Sequence, residues 1–385
     1  MTFRIAAAGA LPLDLARLKK VAARLEVERT RSVGTRSALH RINRALGESM
    51  ASGDADKRSA LVQAMVEADA SLPARIRSPA GPGGIADIDL LRQAGCLDLG
   101  ERLDREQAAE VKKYLESKPL RLGPVPQHWN TQVASLDDVP RDANFACYDR
   151  LDLWSSPHLL ELVSGDDLLD LAQSYLGCTP TLCSFNAYWA LSERPADPKL
   201  QAFHRELDDG RSLAIFVLLT PVEDLEDGAH FYVETSHDLA CLEAGLRADG
   251  VGTKLDYLLV GPFVAPMAMR LFGRNARRFK GPAGAAFCID GFGLNRSVVP
   301  RSRPKLLLEF RFGTFFNEHV YDLKLGAGSA AARAVRGWLP RFLRGGASFS
   351  QDRGEQRREI LRRIPSTPRH KYIFRYMIDE LSVEV

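Results

Sequence analysis

The chain has 385 residues, 45% of them apolar, and a formal net charge of +3. That length and apolar content suit a large buried core, as one large domain or two to three smaller ones. The near-balanced charge gives no global attraction for nucleic acid, and no apolar run reaches the roughly 18 residues that span a membrane.

The opening apolar stretch from Ile5 to Leu11 is broken by Pro12 and Asp14. It is too short and too poorly flanked for a signal peptide, so the expectation is an ordinary start and a cytoplasmic protein. Leu15, Leu18, Val21, Ala22 and Leu25 recur at helical spacing, as do Leu39, Ile42 and Leu46, and then Leu61, Met65 and Ala68. This periodicity predicts helices over 13–72. The run Ser78-Pro-Ala-Gly-Pro-Gly-Gly breaks them with a loop or linker. Asp104 is placed to cap a helix reaching Leu115, and a further helix over 165–176 should end at Gly177.

Beyond Cys178 the pattern changes. Residues 181–191, 213–219, 230–233, 286–289 and 306–316 are short runs rich in Phe, Val, Leu and Tyr, punctuated by Gly, Pro, Asp and Asn. Such runs predict an antiparallel sandwich or barrel. Residues 239–266 form a longer excursion with room for a helix and a loop. The final stretch is helical and basic, with Arg333, Arg341, Arg357, Arg362, Arg363, Arg369 and Arg375 among its cations. It reads either as a solvated helix face or as a patch for an anionic partner. The six cysteines show no C-x-x-C spacing and are expected to be free thiols.

The chemistry concentrates in Gln201-Ala-Phe-His204-Arg205-Glu206-Leu-Asp208-Asp209. A His and a carboxylate two residues apart project to the same side of a strand and can reach one metal ion. A second histidine from a distant strand would complete a 2-His-1-carboxylate triad, which leaves positions open on Fe(II). Three further motifs follow in order. They are Ser212–Asp224 with its apolar strand and Leu-Thr end, Asp227–His237 with its acidic glycine turn, and Gly281–Arg296, with Leu306–Phe312 closing the series.

Together these segments resemble the core of the phytanoyl-CoA dioxygenase-like family of Fe(II)/2-oxoglutarate-dependent oxygenases, over about 140 of the 385 residues. The resemblance implies an α+β fold, a double-stranded β-helix (jelly-roll, cupin-like) core with helical N-terminal and C-terminal extensions. The expected division is 1–120 helical, 121–325 jelly roll and 326–385 basic and helical. It implies His204 and Glu206 as catalytic metal ligands, with Asn295 at the position of the family's distal histidine. It places Lys305 where the family carries an arginine for the oxo acid, with Arg311 either taking over that role or pairing with Glu309. Fe(II) and 2-oxoglutarate are the implied cofactors.

Three positions depart from the family. Glu206 replaces an aspartate, Asn295 a histidine and Lys305 an arginine. A neutral amide is a weak ligand for divalent iron, and lysine offers a point charge without a planar fork. Asp208 is a fallback ligand. His230 and His237 occur where the family has non-ligating histidines, and His128 could line the mouth of the pocket. Two functions are therefore expected as alternatives. One is an oxygenase that hydroxylates or oxidises a small or lipid-like substrate. The other is a degenerate, non-catalytic or metal-independent member of the fold that acts as a binding or partner module. Substrate and oligomeric state are not legible in the sequence.

Overall fold

The computed structural model describes residues 85–122, 131–143, 145–192, 202–206, 209–248, 250, 265–314 and 352–382, with single positions between 59 and 76. The helices expected over 13–58, Arg333, Arg341, His128, Asp208 and most of the loop after residue 248 lie outside them.

Helix α1 (Ile85–Ala94) leads into strand β1 (Cys96–Glu101) and helix α2 (Arg105–Glu116). The Asp104 cap is as expected. Its carboxylate accepts from the Gln107 amide while the Gln107 side chain accepts from Asp104, a reciprocal capping box. Short strands β2 (Leu120–Leu122), β3 (Gln132–Val133) and β4 (Phe145–Tyr148) precede helices α3 (Arg150–Ser155), α4 (Leu159–Val163) and α5 (Asp166–Leu176). Gly177 ends α5 at φ +76°, a left-handed conformation that costs glycine nothing.

Five of the strands that follow lie close to their expected places: β5 (Thr181–Ala190), β6 (Ser212–Leu218), β7 (His230–Val233), β9 (Ala285–Asp290) and β11 (Lys305–Gly313), while β8 (Ala276–Phe279) and β10 (Asn295–Ser297) are strands that the hydrophobic runs did not mark. Helices α6 (Leu239–Ala248) and α7 (Ala265–Phe272) sit in the excursion between β7 and β8. The C-terminal segment forms α8 (Asp352–Arg363), α9 (Pro368–Ile373) and α10 (Arg375–Ser382).

The fold is α+β with two antiparallel sheets in a jelly-roll arrangement. The larger sheet runs β1-β9-β6-β11-β5-β4-β2-β3 and the smaller β10-β7-β8. An isolated bridge between His204 and Asn295 lays the His204 segment alongside β10. The sheet takes in β1, upstream of the residue 121 at which the sequence reading starts the jelly roll.

Alternation on the central strands decides which side chains meet. On β6, Leu213, Ile215 and Val217 join the core beneath the helices, whereas Ala214, Phe216 and Leu218 join the core between the sheets. On β11, Leu306, Leu308, Phe310 and Phe312 face the helices. Lys305, Leu307, Glu309 and Arg311 therefore share the inter-sheet face. The strand is buried along its whole length. Three charged residues on its inner face, Lys305, Glu309 and Arg311, thus stand in the interior and need partners there.

A candidate pocket between the sheets

A small cavity lies between the two sheets. His204, Glu206, Asn295, Glu309, Arg311 and His230 supply most of its polar lining, and Phe216, Tyr188 and Ile289 most of its apolar wall. It draws on the His204 segment, β6, β7, β10 and β11, elements far apart in sequence.

The His204 segment is fixed by backbone bonds. His204 and Asn295 exchange N–H···O bonds of 3.0 Å in each direction, and the Glu206 amide donates to the Gly291 carbonyl at 2.7 Å. His204 Nε2 lies 3.7 Å from Glu206 Oε1, so the two side chains reach the same space. His204 Nδ1 is 3.2 Å from the Ala202 carbonyl.

Glu206 is held by Arg311. One guanidinium nitrogen, Nη2, is 3.2 Å from Glu206 Oε1, and Nη1 donates to Glu206 Oε2 at 3.4 Å. The same Nη2 donates to Glu309 Oε1 at 3.3 Å. The Arg311 side chain is 3% exposed, Glu309 10% and Glu206 24%. The two carboxylates thus share one interior guanidinium, which stays charged at any ordinary pH.

Asn295 also faces the cavity. Its amide nitrogen donates to the Gly293 carbonyl at 3.2 Å and toward the His204 carbonyl at 3.4 Å. Those bonds brace the turn after β9. Lys305 is 2% exposed, and its ammonium donates to the Gly228 carbonyl and, at 3.0 Å, to Ser297 Oγ. Burial pushes its pKa down to about 7. It stands behind the cavity wall rather than in it.

His230, which the sequence reading placed among non-ligating histidines, lines the cavity. Its ring sits between Phe216 and Phe287, with centroids 4.7 and 5.3 Å away. Burial, together with the charges of Lys305 and His204, holds its pKa well below the usual imidazole value, so the ring is neutral. Neither ring nitrogen makes a well-formed hydrogen bond among the described residues, while the Asn295 side chain opposes the lowering of the His230 pKa. Glu309 is the other lining residue with a weak sequence signal, an acid two residues from Arg311 in an otherwise apolar strand. Asp290, which opens the turn before Asn295, lies outside this lining. Its carboxylate accepts from Tyr175 Oη at 2.5 Å and from the Phe292 amide at 2.7 Å.

Among the described residues, no group of three or more His, Cys, Asp or Glu side chains is arranged to hold a metal ion. Both Glu206 oxygens are engaged by the Arg311 guanidinium, and Asn295 offers only an amide oxygen, a weak neutral ligand. For an oxo acid, Lys305 is already committed to Gly228 and Ser297.

No family model matches the sequence, and no curated protein matches it. Solved structures align with it at low identity and low TM-score. The non-haem α-ketoglutarate-dependent epimerase SnoN from nogalamycin biosynthesis aligns over 59% of this chain and 80% of its own, with 14% identity and a TM-score of 0.38. EvdO2 from Micromonospora carbonacea var. aurantiaca aligns over 61% and 93%, with 14% identity and a TM-score of 0.37. HygX from Streptomyces hygroscopicus, solved with nickel and 2-oxoglutarate bound, aligns over 60% and 86%, with 15% identity and a TM-score of 0.34.

Proposed function

We propose that the chain is a metal-independent member of the Fe(II)/2-oxoglutarate oxygenase fold that binds a small organic molecule between its two sheets. The observation that carries this reading is the Arg311 fork on Glu206, at 3.2 and 3.4 Å. A carboxylate already paired with a buried guanidinium is a poor ligand for a second cation. His204 Nε2 and the neutral His230 ring then supply hydrogen bonds to an organic ligand, and Phe216 and Tyr188 supply its apolar contact.

The second reading is a working oxygenase of the phytanoyl-CoA dioxygenase-like kind. It is favoured by the 3.7 Å approach of His204 Nε2 to Glu206 Oε1 and by the order of the sequence motifs. His204, Glu206 and Asn295 would hold Fe(II), and Lys305 or Arg311 would hold 2-oxoglutarate. The ion would supply oxygen activation for oxidation of a small substrate.

One titration separates the two. Mn(II) is added to metal-free protein, with and without 2-oxoglutarate, and compared with the His204→Ala variant. The metal-independent reading expects wild type and variant to behave alike. Tighter binding by wild type, further tightened in Asn295→His, would establish the oxygenase reading instead.

A further inference from the structure

We infer that Arg311 acts as a built-in cation, occupying the focus at which His204, Glu206 and Glu309 would otherwise gather around a divalent metal ion. The inference rests on the metal-independent reading above and adds a cause and a latent site to it.

Arg311 Nη2 is 3.2 Å from Glu206 Oε1 and 3.3 Å from Glu309 Oε1. One nitrogen therefore sits between two carboxylates from separate parts of the chain. His204 Nε2 stands 3.7 Å from the same Glu206 oxygen. One imidazole and two carboxylates are a sound donor set for Mn(II), Fe(II) or Zn(II), but with the guanidinium between them they are not arranged as a metal site. The inner face of β11 explains the arrangement. Glu309 and Arg311 are two residues apart and project together, and the crossing segment brings Glu206 against them. The guanidinium cannot lose its proton, so its charge is a fixed feature of the cavity.

A divalent ion entering the wild-type cavity meets that charge at close range. Removing the charge should reveal the site. Mn(II) binding is measured by calorimetry and by the shift in melting temperature, on wild type, Arg311→Met and Arg311→Lys. Arg311→Met should gain Mn(II) affinity by about 100-fold or more, because a fixed charge within ~4 Å of a divalent ion opposes it strongly even at an effective dielectric near 20. Arg311→Lys keeps the charge and should gain little. The gain should disappear when His204→Ala or Glu309→Gln is added to Arg311→Met.

The outcomes separate the two claims. No binding by wild type and a gain in Arg311→Met supports both. No binding by wild type and no gain in a folded Arg311→Met overturns the built-in cation and leaves the metal-independent reading standing. His204-dependent binding by wild type overturns both. Should Arg311→Met fold only with Mn(II) present, that itself supports the inference. Should it fold in neither condition, Arg311→Gln removes the charge while keeping an amide that can bond the two carboxylates, and absence of any Mn(II) gain in that variant overturns the inference.

Discussion

Lys305 lies at the start of β11 with a backbone carbonyl and a serine hydroxyl as its hydrogen-bond partners. Burial lowers its pKa from 10.5 to about 7. The unfolded chain therefore binds the additional proton between those values, and stability gained from neutral Lys305 rises with pH across that window. Relative to Lys305→Met, the wild type should gain stability as the pH is raised from about 7 to about 10, measured by urea melts at several pH values. A difference that does not change with pH would contradict this. Arg311, by contrast, has carboxylates as its partners. Truncating it leaves two interior acids without their counter-charge, and Arg311→Ala should cost about 3–5 kcal/mol in the same melts.

Individual elements carry their own tests. Helix α2 begins at a complete capping box, and Asp104→Ala removes the acceptor for the Gln107 amide. The expected loss is about 1 kcal/mol, with the pocket unaffected. On β11 the two faces have different work. Phe310 is fully buried on the helix side and packs near Phe185 and Phe312, with centroids 6.5 and 5.9 Å away. Glu309 and Arg311 occupy the other face. A change in register by one residue would exchange the two sets, which is why both faces of this strand restrict its pairing.

At the scale of the whole molecule, the C-terminal helices are part of the folded unit. Arg369 of α9 donates to Asp170 at 2.6 Å and to Asp166 at 3.3 Å, and His370 Nε2 lies 2.9 Å from the Ser164 carbonyl. Arg375 of α10 donates to Thr181 at 2.8 Å, at the start of β5. Phe374 packs edge-on to Trp154, which stacks on Phe185 of the same strand. Several cations that the sequence offered as an anionic-partner patch are thus engaged internally, with Arg363 also paired to Glu161 at 3.1 Å. No described helix is long and apolar enough to cross a membrane. Phe374→Ala should cost about 3–5 kcal/mol and lower a single unfolding transition. Earlier, separate melting of the C-terminal helices would show that they are not part of that cooperative unit.

The sequence by itself determined the local and periodic features. Hydrophobic runs located β5, β6, β7, β9 and β11 to within a few residues, Asp104 and Gly177 marked helix ends, and alternation placed Lys305, Leu307, Glu309 and Arg311 on one face. His204 and Glu206 were legible as a pair because two residues of separation fixes their common side. The tertiary structure alone decided who meets whom. Arg311 reaches Glu206 across 105 residues of chain, Lys305 turns to the Gly228 carbonyl across 77, and Asp290 turns to Tyr175 across 115. Such partners depend on which strands cross and at what register, and no local pattern encodes that. Glu206, which the sequence offers as a metal ligand, is in the folded chain paired with an internal cation.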